Sequence, residues 1–147
     1  MKTILLFCLI ITIAFCSCCQ KKSPEIEGAW HQILHQTITG DSSVTDFPGK
    51  SDVDATKIWS GNHFMFVARI KTDTIVEDNY GVGTFKLEGN RYEETISILG
   101  YKPWEGKTIK MTLEIRNDTL IQTYPVDDNG KMEKEWANIE KYVRIKK

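Results

Sequence analysis

Apolar and polar residues alternate along much of the chain, most clearly from Lys107 to Ile115. There Ile109, Met111, Leu113 and Ile115 fall on one face, and Lys110, Thr112 and Glu114 on the other. A period of two is the signature of a strand with one face covered and the other wet. Arg116-Asn117-Asp118 then supplies a turn, and Thr119 to Tyr124 resumes as a strand. Gly81 to Leu87 and Arg91 to Leu99, joined by Glu88-Gly89-Asn90, predict a second hairpin. Its return strand sets Tyr92, Glu94, Ile96 and Ile98 against Glu93, Thr95 and Ser97. Gly28 to Thr37 and His63 to Ile70 are also strand-like. The second is apolar at both parities, which predicts cover on both faces. Lys141 to Ile145 reads as the last strand. Just before it, Met132, Trp136 and Ile139 recur at i, i+4 and i+7, a helical spacing that fits a short helix before the last strand, with an extended strand fitting nearly as well. Ile38 to Thr56, rich in Gly, Ser, Asp and Pro, reads as one long loop of the lid or rim kind. The count is about seven to nine strands with close turns and no internal repeat. It predicts an all-β fold, a single antiparallel up-and-down barrel of about eight strands, because closure removes exposed edges.

The N-terminal segment breaks this pattern. Lys2 supplies a positive charge, and Ile4 to Phe15 is apolar apart from Thr12. About twelve helical residues reach about 18 Å, short of the roughly 30 Å hydrocarbon core. A secretory leader therefore fits better than a spanning helix. Polarity switches at Phe15-Cys16-Ser17-Cys18-Cys19-Gln20, and all four cysteines lie at or before Cys19. A disulfide-stapled domain would scatter them through the folded part. The junction instead resembles a bacterial lipobox, in which a small residue precedes the cysteine that receives a diacylglyceryl group. Ser17 before Cys18 fits best, with Cys19 the alternative, and Phe15 stands where lipoboxes usually carry leucine. The expected organisation is a signal peptide over 1–17, a lipidated tether over 18–25 and the barrel over 26–147. Two or three palmitate-type acyl chains anchor a protein firmly, since each buried methylene contributes about 0.8 kcal/mol.

Composition narrows the partners. Acidic and basic residues nearly cancel, leaving a formal net charge of -1, and no basic stripe offers the footprint that nucleic acid needs. The three histidines, His31, His35 and His63, suggest a metal only weakly. On a strand, His31 and His35 share a face but sit about 13 Å apart. No Gly-x-Ser-x-Gly occurs, and Gly81-Val82-Gly83 lacks the third glycine and following helix of a phosphate cradle. Asp127-Asp128-Asn129-Gly130 is a turn signal without the alternating carboxylates of a calcium loop. Glu93 and Glu94 must point to opposite faces of a strand, so they cannot work as a paired acid and base. An inward glutamate beside Tyr92 would need a hydrogen-bonding partner. No enzyme, cofactor or metal is expected.

Gly28-Ala29-Trp30 at the start of the first strand resembles the opening Gly-x-Trp of lipocalins, eight-stranded barrels with a central ligand cavity. The resemblance is closer to the small lipocalin-like lipoproteins of unknown function found in Gram-negative anaerobes. It runs through Lys57-Ile58-Trp59-Ser60-Gly61-Asn62-His63-Phe64, the hairpin from Gly81-Val82-Gly83-Thr84-Phe85 to Tyr92-Glu93-Glu94, and the final Glu140-Lys141-Tyr142-Val143-Arg144. The later lipocalin signature motifs and disulfide are missing. The resemblance implies a calycin-type barrel in which Arg144 packs over Trp30 across the closing seam.

The expected function is a non-enzymatic, membrane-tethered barrel binding a small, partly apolar ligand, with Phe64, Phe66, Tyr92 and Glu94 lining the pocket. The alternative is an interaction accessory of an envelope complex, with a filled barrel and contacts through Tyr101, Trp104 and the 38–56 loop. Tyr101 and Trp104 lie in a glycine-bounded loop, where aromatics are often contact residues. The expected location is the bacterial cell envelope, lipid-anchored, the outer membrane ahead of the inner, with the domain in the periplasm or at the cell surface.

Overall fold

Strand alternation over 25–146, the residues that the computed structural model describes, resolves into nine strands. The expected leader, Cys18 and nearly all of the tether lie outside the described residues. The strands are β1 (Gly28–Thr39), β2 (Ser42–Phe47), β3 (Asp52–Ser60), β4 (His63–Lys71), β5 (Val76–Glu88), β6 (Arg91–Leu99), β7 (Thr108–Arg116), β8 (Thr119–Tyr124) and β9 (Ala137–Arg144). From β3 to β9 each strand pairs antiparallel with the next. β1 closes the ring: Gly28–His31 pairs with β3, and Trp30–Ile38 pairs with β9 along the other edge. Eight strands thus form a closed antiparallel barrel, and β2 is an extra strand on the far half of β1. The order is compatible with a calycin-like fold.

Four sequence expectations change. The 38–56 segment is not a loop; it turns at Gly40, forms β2 and enters β3 at Asp52. β2 was hidden because it is an edge strand with mostly exposed residues, so no apolar face marks it. No helix precedes β9 among the described residues. Asp127 instead caps a turn through the backbone N–H groups of Asn129 and Lys131, and the chain is extended again from Ala137. β4 is covered on one face only: Met65 and Val67 are 47% and 55% exposed. A barrel has one wall, and the outward parity of β4 faces solvent. Finally, Ile98 points outward. The β5–β6 register slips between Val82 and Gly83, where Ile96 and Ile98 face consecutive residues. The extra residue inverts the parity, and Leu99 turns inward instead.

The interior is tapered by side-chain size. At the end where β1 begins, Trp30, Trp59, Phe85, Tyr92, Leu113 and Leu120 are buried and fill the barrel. Further up, the facing inward positions of β3 and β4 are Ala55 and Ala68, which leave room. The glycines of β5 also seat two rings. A Cβ on Gly81 would fall 2.4 Å from Phe66, and one on Gly83 would fall 2.1 Å from the Thr95 carbonyl and 2.9 Å from Phe64. The Gly-x-Gly pair is therefore a packing device.

The filled end is sealed by Arg144. Its guanidinium lies 4.1 Å from the centre of the Trp30 ring and donates to the Glu27 carbonyl at 2.7 Å and the Glu25 carbonyl at 2.5 Å. The Trp30 indole donates to the Ile26 carbonyl at 2.8 Å. Gly28 between them has φ 121°, a conformation side chains rarely adopt. A Cβ there would also stand 3.1 Å from the guanidinium. Arg144→Ala is expected to cost about 2–3 kcal/mol, from the lost cation–ring contact and charged hydrogen bonds. Arg144→Lys should recover less than half, because an ammonium lacks the planar fork. Urea unfolding of the two variants checks both.

Candidate functional site: a half-filled barrel with a polar floor

Midway along the barrel the apolar filling stops at a layer of polar side chains. Lys57 of β3 and Glu94 of β6 both occupy inward positions and are 5% and 4% exposed. Their ammonium and carboxylate form a direct ion pair. The Lys57 ammonium also donates to Gln122 of β8 at 3.4 Å and lies 5.1 Å and 5.0 Å from the Trp59 and Phe64 rings. Tyr92 donates to the same Glu94 oxygen at 2.6 Å and accepts from the Trp59 indole at 2.7 Å. The Gln122 amide turns its other end to the Met111 sulfur. Among the described residues, no buried side-chain nitrogen or oxygen lacks a hydrogen-bond partner. The layer is complete in itself, as a buried polar network must be to avoid a large desolvation cost.

Above this floor lies a cavity of about 330 Å³. Phe64, Phe66, Ile96, Leu99 and Ile109 give it apolar walls, and Tyr101, Trp104 and Trp136 reach its upper end. The other side of the wall is β9, which presents Asn138, Glu140 and Tyr142. The Glu140 carboxylate accepts from Tyr124 at 2.8 Å through one oxygen and from Tyr142 at 2.5 Å through the other. Asn138 accepts from Thr37 at 3.1 Å and lies 3.2 Å from the His35 ring. Burial, with the Glu140 carboxylate beside them, holds the Tyr124 and Tyr142 phenols well above their ordinary range. Burial and Glu94 do the same for Tyr92.

Of the pocket residues read from the sequence, Phe64, Phe66 and Glu94 line the cavity, whereas Tyr92 sits below the floor. Tyr101 and Trp104 do reach the cavity rather than standing clear of the barrel. The 3₁₀ turn Lys102–Trp104 carries them, and Glu105 pins it by accepting from the Leu99 N–H at 3.0 Å and from Lys102 at 2.9 Å. Tyr101 remains 61% exposed, while Trp104 packs against the core with the Lys107 ammonium 5.5 Å from its ring. Glu94 and Glu93 occupy opposite faces, and the partner of Glu94 is a lysine as well as a tyrosine. His31 and His35 do not share a face. The β1–β9 register slips between Gln32 and Leu34, so His35 joins the cavity and His31 lies outside, 4.0 Å from Asp54. No cluster of three or more metal-ligating side chains occurs among the described residues.

Lys57, Gln122, Glu140 and Trp136 were missed as site residues. The first three could have been found by parity: Lys57 alternates with Ala55 and Trp59, Gln122 with Leu120 and Tyr124, and Glu140 with Tyr142 and Arg144. The site thus defines a cavity-bearing, closed antiparallel barrel. No family model matches the chain, and no curated protein matches it.

Removing one member of the buried pair strands the other. Lys57→Met is expected to destabilise by about 3–5 kcal/mol, and the double variant Lys57→Met/Glu94→Gln to recover most of that loss. Denaturant unfolding of the single and double variants measures the coupling. The tyrosines set a second expectation. Their folded pKa values lie above the unfolded value of about 10, so their contribution is intact below pH 10 and is lost as pH rises beyond it. Three protons give a slope of up to about 4 kcal/mol per pH unit. Tyrosinate absorbance for these residues should therefore emerge together with loss of near-ultraviolet circular dichroism.

Proposed function

We propose that this chain is a lipid-anchored envelope protein of the lipocalin-like kind, whose barrel binds a small, partly apolar ligand and performs no chemistry on it. The observation that carries this reading is the half-filled interior: a cavity of about 330 Å³ with mainly apolar lining above a self-satisfied polar floor. Ligand sites run from about 300 to 1,000 Å³, with apolar walls and a few placed polar groups. Glu94, the buried carboxylate of the floor, is tied to Lys57 and Tyr92, which favours a structural role over acid–base work. The anchor rests on the Ser17-Cys18 junction, with Cys19 the alternative. The partners proposed are thus the membrane, through that anchor, and a small ligand.

A second reading, contact with another envelope protein, draws on the outer wall. Ile58, Met65, Val82 and Ile98 fall in one cross-strand row over β3 to β6, beside Val67 and Tyr80. All but Val82 are exposed, and a contiguous apolar patch of this kind is a common docking feature.

Nuclear magnetic resonance titration with octanol tests the first reading. Shifts should concentrate on Phe66, Ile96, Leu99 and Ile109, and Ala68→Trp, which fills the cavity, should weaken binding at least tenfold. Absence of shifts on those residues, or shifts confined to the outer row, would count against it.

A further inference from the structure

The charges that meet the cavity do not balance. Lys57 and Glu94 neutralise each other at the floor. Glu140, higher on the wall, is held only by neutral groups, the hydroxyls of Tyr124 and Tyr142. Among the described residues, no lysine, arginine or histidine lies within 4.0 Å of its carboxylate. A carboxylate offers about four acceptor positions, and the two tyrosines use one on each oxygen. His35 and Asn138 are engaged with each other at 3.2 Å, and Gln122, opposite Glu140 on β8, is engaged with Lys57 and Met111. A partly buried carboxylate with no cation against it, on the wall of a mainly apolar cavity, favours a ligand that brings a positive charge.

Resting on the ligand-binding reading, we propose that the cavity selects a small amphipathic amine, its ammonium against Glu140 and its apolar body against Phe66, Ile96, Leu99 and Ile109. The aromatic rim agrees with that polarity. Tyr101, Trp104 and Trp136 offer ring faces that attract cations during entry, and Lys107 already lies over Trp104 in this manner. An anionic amphiphile of the same shape meets the Glu140 charge and is rejected.

Three probes of one length separate the two claims: octylamine, octanol and octanoate, titrated calorimetrically into the purified full chain at pH 7.5. The expected result is octylamine at least tenfold tighter than octanol, with octanoate weakest. Glu140→Gln, which keeps the shape, should bring octylamine down to the level of octanol. Equal binding of all three, or octanoate ahead, overturns the amine assignment while leaving the cavity reading in place. No binding of any probe overturns both. If Glu140→Gln fails to fold, the ranking in the unaltered protein decides.

Discussion

A lysine ammonium in the middle of a protein has to be met by a carboxylate, and the Lys57–Glu94 pair is the constraint around which this barrel is arranged. Both groups lie on inward positions of strands that are not neighbours, so the ring must close for them to meet. The desolvation of two charges is offset only if their remaining donors and acceptors are also used. Gln122, Tyr92 and, through it, Trp59 do this. The pair therefore fixes the inward faces of β3, β6 and β8 relative to one another. A one-residue slip in any of them would expel a charge from the network and admit an outward side chain in its place.

That layer also explains why the barrel is filled on one side and open on the other. At and below it, large rings meet across the interior: Phe85 and Tyr92 on adjacent strands are 5.4 Å apart, and Trp59 meets Tyr142, on the far side of β1, edge-on at 6.2 Å. Above it, the facing inward positions of two neighbouring strands, β3 and β4, shrink to Ala55 and Ala68. Strand spacing is fixed by backbone hydrogen bonds at about 4.8 Å, so the ring cannot contract to absorb the missing volume. Small side chains in a closed barrel leave a cavity, whereas in an open sandwich the layers would settle together.

The parts of this fold legible in the sequence are those where the period of two is uninterrupted. β7 shows all four of its inward residues by alternation, and the two-sided assignment of Glu93 and Glu94 needed nothing more. Two of the failures share one cause, a local break in parity. The bulge near Ile33 moved His35 to the opposite face from His31, and the one near Ser97 exchanged Ile98 for Leu99. A bulge is a backbone event with no required residue type, so nothing in these segments announces it. β2 was invisible for a different reason: a mostly exposed edge strand has no buried face to generate a pattern. Glu140 was passed over because a single polar residue on a short last strand looks like surface until its neighbours Asn138, Tyr142 and Arg144 are seen to share its parity.

The two ends of the barrel give the proposed anchor a direction. Glu25 and Ile26, where the described chain begins, lie at the filled end, with the Glu25 and Glu27 carbonyls gripped by Arg144. The cavity opens among Tyr101, Trp104 and Trp136, beside the opposite ends of the strands. A lipid at Cys18 would leave about seven residues of tether, roughly 25 Å at full stretch. A tether joined at Glu25 would meet the barrel at its sealed end, which leaves the mouth clear of the attachment point. A ligand would then reach the cavity from the aqueous side, which suits a molecule carrying a charge better than one extracted from the membrane core.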